Sequence, residues 1–238
     1  DDVLLVPQES SVSPSGADVR SYAARGLPLD IPILSAAMDT VTGAAMAGTL
    51  AKAGGLGVIH RNCSIAEQVK MVQEARRLAG PRHGAVAAAV GPRDTERALA
   101  LDRAGVAAIV FDSAHVHKPE LIAAIRGVRH KVKAKLIVGN IVTAAAARAL
   151  AGIADGIKVG VGPGSICTTR VVAGVGVPQL TAIMEVAKAV KAKRIPVIAD
   201  GGMRYSGDVV KALAAGASAV MLGGMLAGTD EAPGEIVT

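Results

Sequence analysis

The segment Gly160-Val161-Gly162-Pro163-Gly164-Ser165-Ile166-Cys167-Thr168-Thr169-Arg170 places a single cysteine at the end of a glycine-rich turn, beside three hydroxyl side chains and an arginine. A thiolate is the strongest nucleophile that a protein can offer near neutral pH. Glycines let backbone N–H groups approach an anion or a cofactor closely. A nucleophile beside a phosphate cradle suits covalent chemistry on a phosphorylated substrate. The same residues also read as a tight turn that buries an inert thiol.

These residues need a scaffold, and the chain around them alternates short apolar runs with helical patterns. The candidate strands are Ile31–Ser35, Gly57–Ile59, Gly84–Val90, Ala107–Phe111, Leu136–Gly139, Gly156–Val159, Val197–Ala199 and Ala219–Leu222. Most are continuously apolar, as parallel strands covered on both faces require. Helical patterns fill 43–53, 64–78, 93–104, 118–132, 143–151, 178–193 and 206–215. Ser64 with Glu67 forms a capping-box pair, and Pro119 and Pro178 suit first-turn positions. Eight such units predict an α/β fold of the (β/α)8 TIM-barrel type, spanning 1–238 as a single domain. A doubly wound sheet carries its glycine fingerprint after the first strand, whereas here it follows the sixth. Polar residues follow nearly every strand: Ser35 to Thr40, His60-Arg61-Asn62, Asp112-Ser113-Ala114-His115, Asn140, the cysteine loop, Asp200-Gly201-Gly202 and Gly223-Gly224. In a barrel these loops converge on one face, where active sites form. Only Leu226–Thr238 follow the eighth strand, so the final helix is expected to be missing and the chain to be incomplete at its C-terminal end.

Composition narrows the function further. Of 238 residues, 51% are hydrophobic and 1% aromatic, so the core must be aliphatic and a base-stacking platform for nucleic acid is nearly excluded. The net charge of +6 is scattered, apart from Arg126, Arg129, Lys131, Lys133 and Lys135, which read as a solvated helix end. A general positive potential suits small anions. Cys63 and Cys167 form neither a disulfide framework nor a zinc pattern, which points to a reducing, cytoplasmic setting. No apolar run is long enough for a membrane span, and none reads as a signal peptide.

Several blocks together resemble the family of inosine-monophosphate (IMP) dehydrogenase and guanosine-monophosphate (GMP) reductase. They are DDVLLVP at 1–7, SAAMDTVT at 35–42, GGLGVIHRN at 54–62, GPGSICTTR at 162–170, GVGVPQLTA at 174–182, DGGMRYSGD at 200–208 and MLGGMLAGTDEAPGE at 221–235. The likeness covers almost the whole chain and leans toward the dehydrogenase, although Gly223-Gly224-Met225-Leu226 is closer to many reductases. Between Met71 and Gly84 there is no room for the paired regulatory (CBS) domains that many dehydrogenases insert.

The resemblance implies an oxidoreductase that converts IMP to xanthosine monophosphate (XMP) with NAD, through a thioimidate on Cys167. Thr169 resembles the family threonine that handles the water or leaving group. The implied nucleotide site is Met38, Ser165, Asp200, Gly201, Gly202, Gly223 and Gly224. Asp200 would accept the ribose hydroxyls, while Ser165, Gly202, Gly223 and Gly224 would hold phosphate, with a helix start adding partial charge. Barrels commonly bind phosphate after strands seven and eight, which agrees independently. Met38 and Asp39 would line the purine end. The implied cofactor site is Asp112, Ser113, Ala114, Asn140, Gly160, Val161 and Gly162. Carbonyls of Gly162, Gly164 and Cys167 match a potassium site, and the family usually forms homotetramers. His60, His115 and His117 read as loop or interface histidines. Each motif also has a plainer reading: a turn hydroxyl for Thr169, turn geometry for the glycines, a helix cap for Asp112 and core filler for Met38.

The family's mobile flap, whose Arg-Tyr pair activates water, would follow Glu235, and nothing within 1–238 replaces that pair. Two alternatives therefore stand beside the dehydrogenase: a GMP reductase that deaminates GMP to IMP with NADPH, with Glu231 beside Thr229 as its carboxylate, and a catalytically incomplete nucleotide-binding barrel.

Overall fold

The computed structural model describes residues 3–81 and 84–234. The ends of two family-like blocks, Asp1-Asp2 and Glu235, lie outside the described residues. A short antiparallel hairpin comes first, β1 (Ser21–Ala24) and β2 (Leu27–Leu29). Eight strands follow: β3 (Ile33–Ser35), β4 (Leu56–Ile59), β5 (Ala87–Val90), β6 (Ala108–Asp112), β7 (Lys135–Ile141), β8 (Gly156–Val159), β9 (Val197–Asp200) and β10 (Ala219–Leu222). All pair in parallel and in chain order, and β10 pairs with β3 to close the barrel. This is the (β/α)8 TIM-barrel architecture expected from the alternation of apolar runs and helices.

Helices return the chain after each strand but the last: α1 (Ala44–Lys52), α2 (Ile65–Ala79), α3 (Thr95–Arg103), α4 (Pro119–Arg129), α5 (Ala144–Leu150), α6 (Thr169–Ala173) with α7 (Gln179–Val190), and α8 (Ser206–Ala214). After β10 the described residues make a string of turns, with the Leu226 and Ala227 amides both donating to the Gly223 carbonyl. Of the glycines expected to hold phosphate, Gly202 is followed by a helix, α8, and Gly223-Gly224 by these turns. Ser64 caps α2 through the anticipated box, its hydroxyl accepting from the Glu67 amide at 3.2 Å. Pro119 opens α4, whereas Pro178 sits one step earlier, as the N-cap of α7.

Strand residues alternate between two cores. Leu34, Leu56, Val58, Val110, Ile137 and Met221 face the barrel interior. Phe111, Leu136, Val138, Ile157, Val197 and Leu222 face the helices. The hairpin, which the sequence reading did not anticipate, packs Ala23, Ala24, Leu27 and Leu29 onto the interior set. Its anchors lie just before the strands: the Arg25 amide donates to Asp155 O at 2.9 Å, and the Ser21 hydroxyl donates to Ser218 O at 2.6 Å. The hairpin therefore seals the N-terminal end of the barrel and leaves the opposite end for ligands. Arg129, expected in a solvated cluster, instead donates to the Asp155 carboxylate at 2.6 Å. No helix among the described residues is long and apolar enough to cross a membrane.

Candidate active site

The C-terminal ends of β6 to β9 carry four polar side chains into the open end of the barrel. Lys158 Nζ on β8 donates to Asp112 on β6 at 2.9 Å and to Asp200 on β9 at 2.5 Å. Asn140 on β7 donates its amide to Asp200 Oδ2 at 2.9 Å and to the Gly160 carbonyl at 2.6 Å. Burial alone would push the Lys158 ammonium toward neutrality, but Asp200 and Asp112 overcome it and hold its pKa above the ordinary lysine value. Burial would raise the Asp112 carboxyl, and Lys158, with a lesser push from Arg61, holds it below its usual range. Lys158 was missed in the sequence because it sits inside an apolar strand run.

The cysteine loop leaves β8 at Gly160, whose φ of +148° belongs to the region that favours glycine. Arg170 ties the loop to itself, donating from Nε to Val161 O at 3.1 Å and from Nη2 to Val177 O at 2.7 Å. Gln179 Nε2 bridges the carbonyls of Val159 and Asp200 at 2.9 and 3.1 Å. These fastenings leave Cys167 exposed, with Sγ 3.2 Å from Thr169 Oγ1. The inert buried thiol is thus ruled out. The hydroxyl and the amide of Thr169 hold the thiol below its ordinary pKa; burial opposes them, and Arg170 assists weakly. The field comes from the start of α6, a helix absent from the sequence reading, rather than from the glycine amides.

A lowered pKa means that thiolate reactivity is gained at lower pH as pH rises. Removing the Thr169 hydroxyl is expected to move that rise upward. The check is the rate of Cys167 alkylation by iodoacetamide against pH, in the parent chain and in Thr169→Val; coincident midpoints would show that the hydroxyl has no such effect.

Two adjoining cavities flank the loop. The larger, about 570 Å³, is lined by Met38, Ser165, Asp200, Gly201, Gly202, Gly223 and Gly224. The smaller, about 180 Å³, is lined by Ala114, Asn140, Gly160, Gly162, Gly164, Cys167 and Thr169, and shares Asp200 and Gly201 with the first. Both phosphate and ribose candidates thus meet in one cavity, and the nucleophile lies in the next. Ser113 lies apart, in an open depression with Arg61, Arg93 and Lys118. Val161 is not brought to either cavity: its side chain is 5% exposed and packs in the outer core. Asp39 sits on an exposed rim, hydrogen-bonded to Asn62.

Arg204 and Met203 line the larger cavity and were not singled out in the sequence. Arg204 is two residues beyond the Gly201-Gly202 turn, and a cation so close to a glycine cradle is a usable signal for phosphate. His60 lies in the loop that leaves β4, as expected, but is buried there, and its Nδ1 has no partner. His115 and His117 stack edge to face, with centroids 6.2 Å apart.

The family model described as "IMP dehydrogenase / GMP reductase domain" matches residues 1–238. The inosine-5'-monophosphate dehydrogenase of Cryptosporidium parvum is 42% identical over 275 residues, covering 99% of this chain and 69% of that protein. The enzyme of the same name from Methanocaldococcus jannaschii is 40% identical over 363 residues, covering 100% of this chain and 73% of that protein. That from Aquifex aeolicus is 37% identical over 366 residues, covering 100% and 74% respectively. The longer alignments against a 238-residue chain mean that these relatives carry inserted sequence absent here. With an exposed, activated cysteine lining one of two adjoining cavities at the open end of a closed barrel, and a family match along its full length, this chain belongs to the IMP dehydrogenase / GMP reductase family.

Proposed function

We propose that this chain is the single catalytic barrel domain of an IMP dehydrogenase, oxidising IMP to XMP with NAD. The observation that carries the reading is the position of Cys167: exposed, activated by Thr169, and lining a cavity that shares Asp200 and Gly201 with a glycine-lined neighbour. Phosphate rests against Ser165, Gly202, Gly223 and Gly224, with Arg204 nearby. Asp200 accepts the ribose hydroxyls, and Met38 lies against the purine. Cys167 Sγ then adds to C2 of the hypoxanthine ring. A bound NAD would supply the hydride acceptor for C2, and Ala114 and Asn140 beside Cys167 would hold it there. The Cys167–C2 bond that remains is a thioimidate, which water cleaves to give XMP and the free thiol; Thr169 is placed to handle that proton.

Ala114 and Asn140, which line the smaller cavity, would orient the nicotinamide ring, with Gly160 and Gly162 permitting close approach; Asp112 would take its ribose, and Ser113 would meet the cofactor only where it extends into the open depression beyond. The donors fit: Asp112 is a carboxylate kept ionised, and Asn140 Oδ1 is buried without a partner, free to accept from a carboxamide or hydroxyl. A potassium ion would suit the carbonyls of Gly162, Gly164 and Cys167. Among the described residues that loop offers neutral oxygen donors, the set that suits a hard monovalent cation. Ile166, Val171, Val172 and Val175 are exposed around Cys167, an apolar surface that supports a homotetramer of such barrels. Two free thiols suit a cytoplasmic setting.

Rapid mixing of the 238-residue chain with IMP and NAD tests the reading. The expected result is a burst of NADH close to one equivalent per chain and a Cys167 adduct by mass spectrometry. Absence of both, with oxidation of NADPH on addition of GMP, would transfer the assignment to the reductase.

A further inference from the structure

Lys158 has no role in the reaction just described, yet it is the one charged side chain fully buried among the described residues. Its side chain is 4% exposed, while those of Asp112 and Asp200 are 34% and 20% exposed. Burying an ammonium is costly, and such a group persists only where partners compensate it. The strand register shows how the compensation is reached. Asp112 on β6 is level with Gly139 on β7, and Gly139 is level with Lys158 on β8. A Cβ on Gly139 would lie 2.6 Å from Lys158 Cβ and 2.7 Å from its carbonyl. The missing side chain on β7 therefore lets the lysine pass across that strand to Asp112. On its other side lies β9, whose last residue is Asp200. One nitrogen thus bridges Asp200, which lines both cavities, and Asp112, one strand further round at the same end of the barrel.

We propose that Lys158 is a shared positioning residue, locking Asp200 of the nucleotide pocket and Asp112 of the dinucleotide pocket at one separation, so that a change in either pocket is felt in the other. The proposal rests on the assignment of those two carboxylates to the two riboses. Without the ammonium, two carboxylates within twice a hydrogen-bond length would repel and separate. A lysine that merely filled the barrel would affect stability without linking the pockets.

The test is calorimetric binding of IMP and of NAD, each alone, to the 238-residue chain carrying Cys167→Ala, which prevents chemistry. Asp112→Asn, on the dinucleotide side, is expected to weaken IMP about fivefold; Asp200 lines both cavities, so the effect of Asp200→Asn on NAD counts as coupling only in the part that loss of the lysine removes. Lys158→Met should weaken both at least about tenfold and abolish those cross-effects, while Lys158→Arg, which keeps the charge and a two-pronged donor, should restore both. An Asp112→Asn chain with unchanged IMP affinity would overturn the lock even if Lys158→Met fails to fold. So would a Lys158→Met chain that loses thermal stability alone. If the parent binds neither ligand, the functional reading falls and the lock with it; if the parent binds both and the cross-effects are missing, only the lock falls.

Discussion

Cys167→Ala is expected to eliminate the NADH burst, lowering the rate of hydride release by at least about 10³-fold, while IMP still binds. The two effects separate because of where the residue sits. Cys167 lines the smaller cavity and not the larger one, which holds Ser165, Gly202, Gly223 and Gly224. Its side chain is exposed and hydrogen-bonds only locally, so the fold should lose no more than about 0.5 kcal/mol. Stopped-flow absorbance and calorimetry on the same preparation give both numbers. Retention of the burst would show that the thiol is not the nucleophile, and loss of IMP binding would place it in the ground-state site instead.

Gly160→Ala should be the most damaging single methyl in the loop. A Cβ there would fall on the Asp200 carbonyl and lie 3.0 Å from Gln179 Nε2 and 3.2 Å from Pro163 Cγ. The φ of +148° adds backbone strain for any L side chain. Both neighbours are fixed, because Gln179 is already bonded to the Val159 and Asp200 carbonyls. The expected cost is at least about 3 kcal/mol in urea unfolding, and IMP affinity falls because Asp200 is displaced. Gly152→Ala, where nothing lies within 4 Å of the new methyl, is the matched control and should leave both readouts nearly unchanged. Equal effects at the two positions would show that close packing at the root of the loop is not what requires glycine.

The eight barrel strands were readable because each is an apolar run bounded by polar residues, and the periodicity of burial on two faces survives in composition alone. Boundaries moved where side chains decide: β7 runs to Ile141, past the expected Gly139, because the β7–β8 register shifts between Gly139 and Ile141. The hairpin is hard to read in the sequence because its strands are only four and three residues long and Pro28 lies within the second. Their signal was an Arg-Gly pair between two short apolar stretches. Lys158 was the more consequential omission. A lysine inside Gly156–Val159, a strand buried on both faces, violates the pattern that identified the strand. That violation pointed inward, to a carboxylate partner. The pairing itself was not readable, since it joins residues 46 and 42 positions away. The activation of Cys167 by Thr169 was equally hidden, because it depends on the short turn of α6 that brings two sequence neighbours face to face.

Closure of the ring has a further consequence, for how the chain acquires its shape. Val220 of β10 pairs with Ile33 of β3, so almost the entire barrel must be synthesised before its first strand gains its second neighbour. Until then Ile33–Ser35 and Val197–Asp200 present open strand edges. Contacts so distant in sequence form slowly, and unpaired edges invite association with other chains. The hydrogen bond from Ser21 to Ser218, which fastens the hairpin beside β10, cannot form earlier either. The wall therefore stays open until Ala219–Leu222 docks, and until then the hairpin at its floor has only its anchor at Asp155. A nascent chain truncated before that strand would leave an aliphatic trough exposed, so the fold is completed in one late step rather than piece by piece.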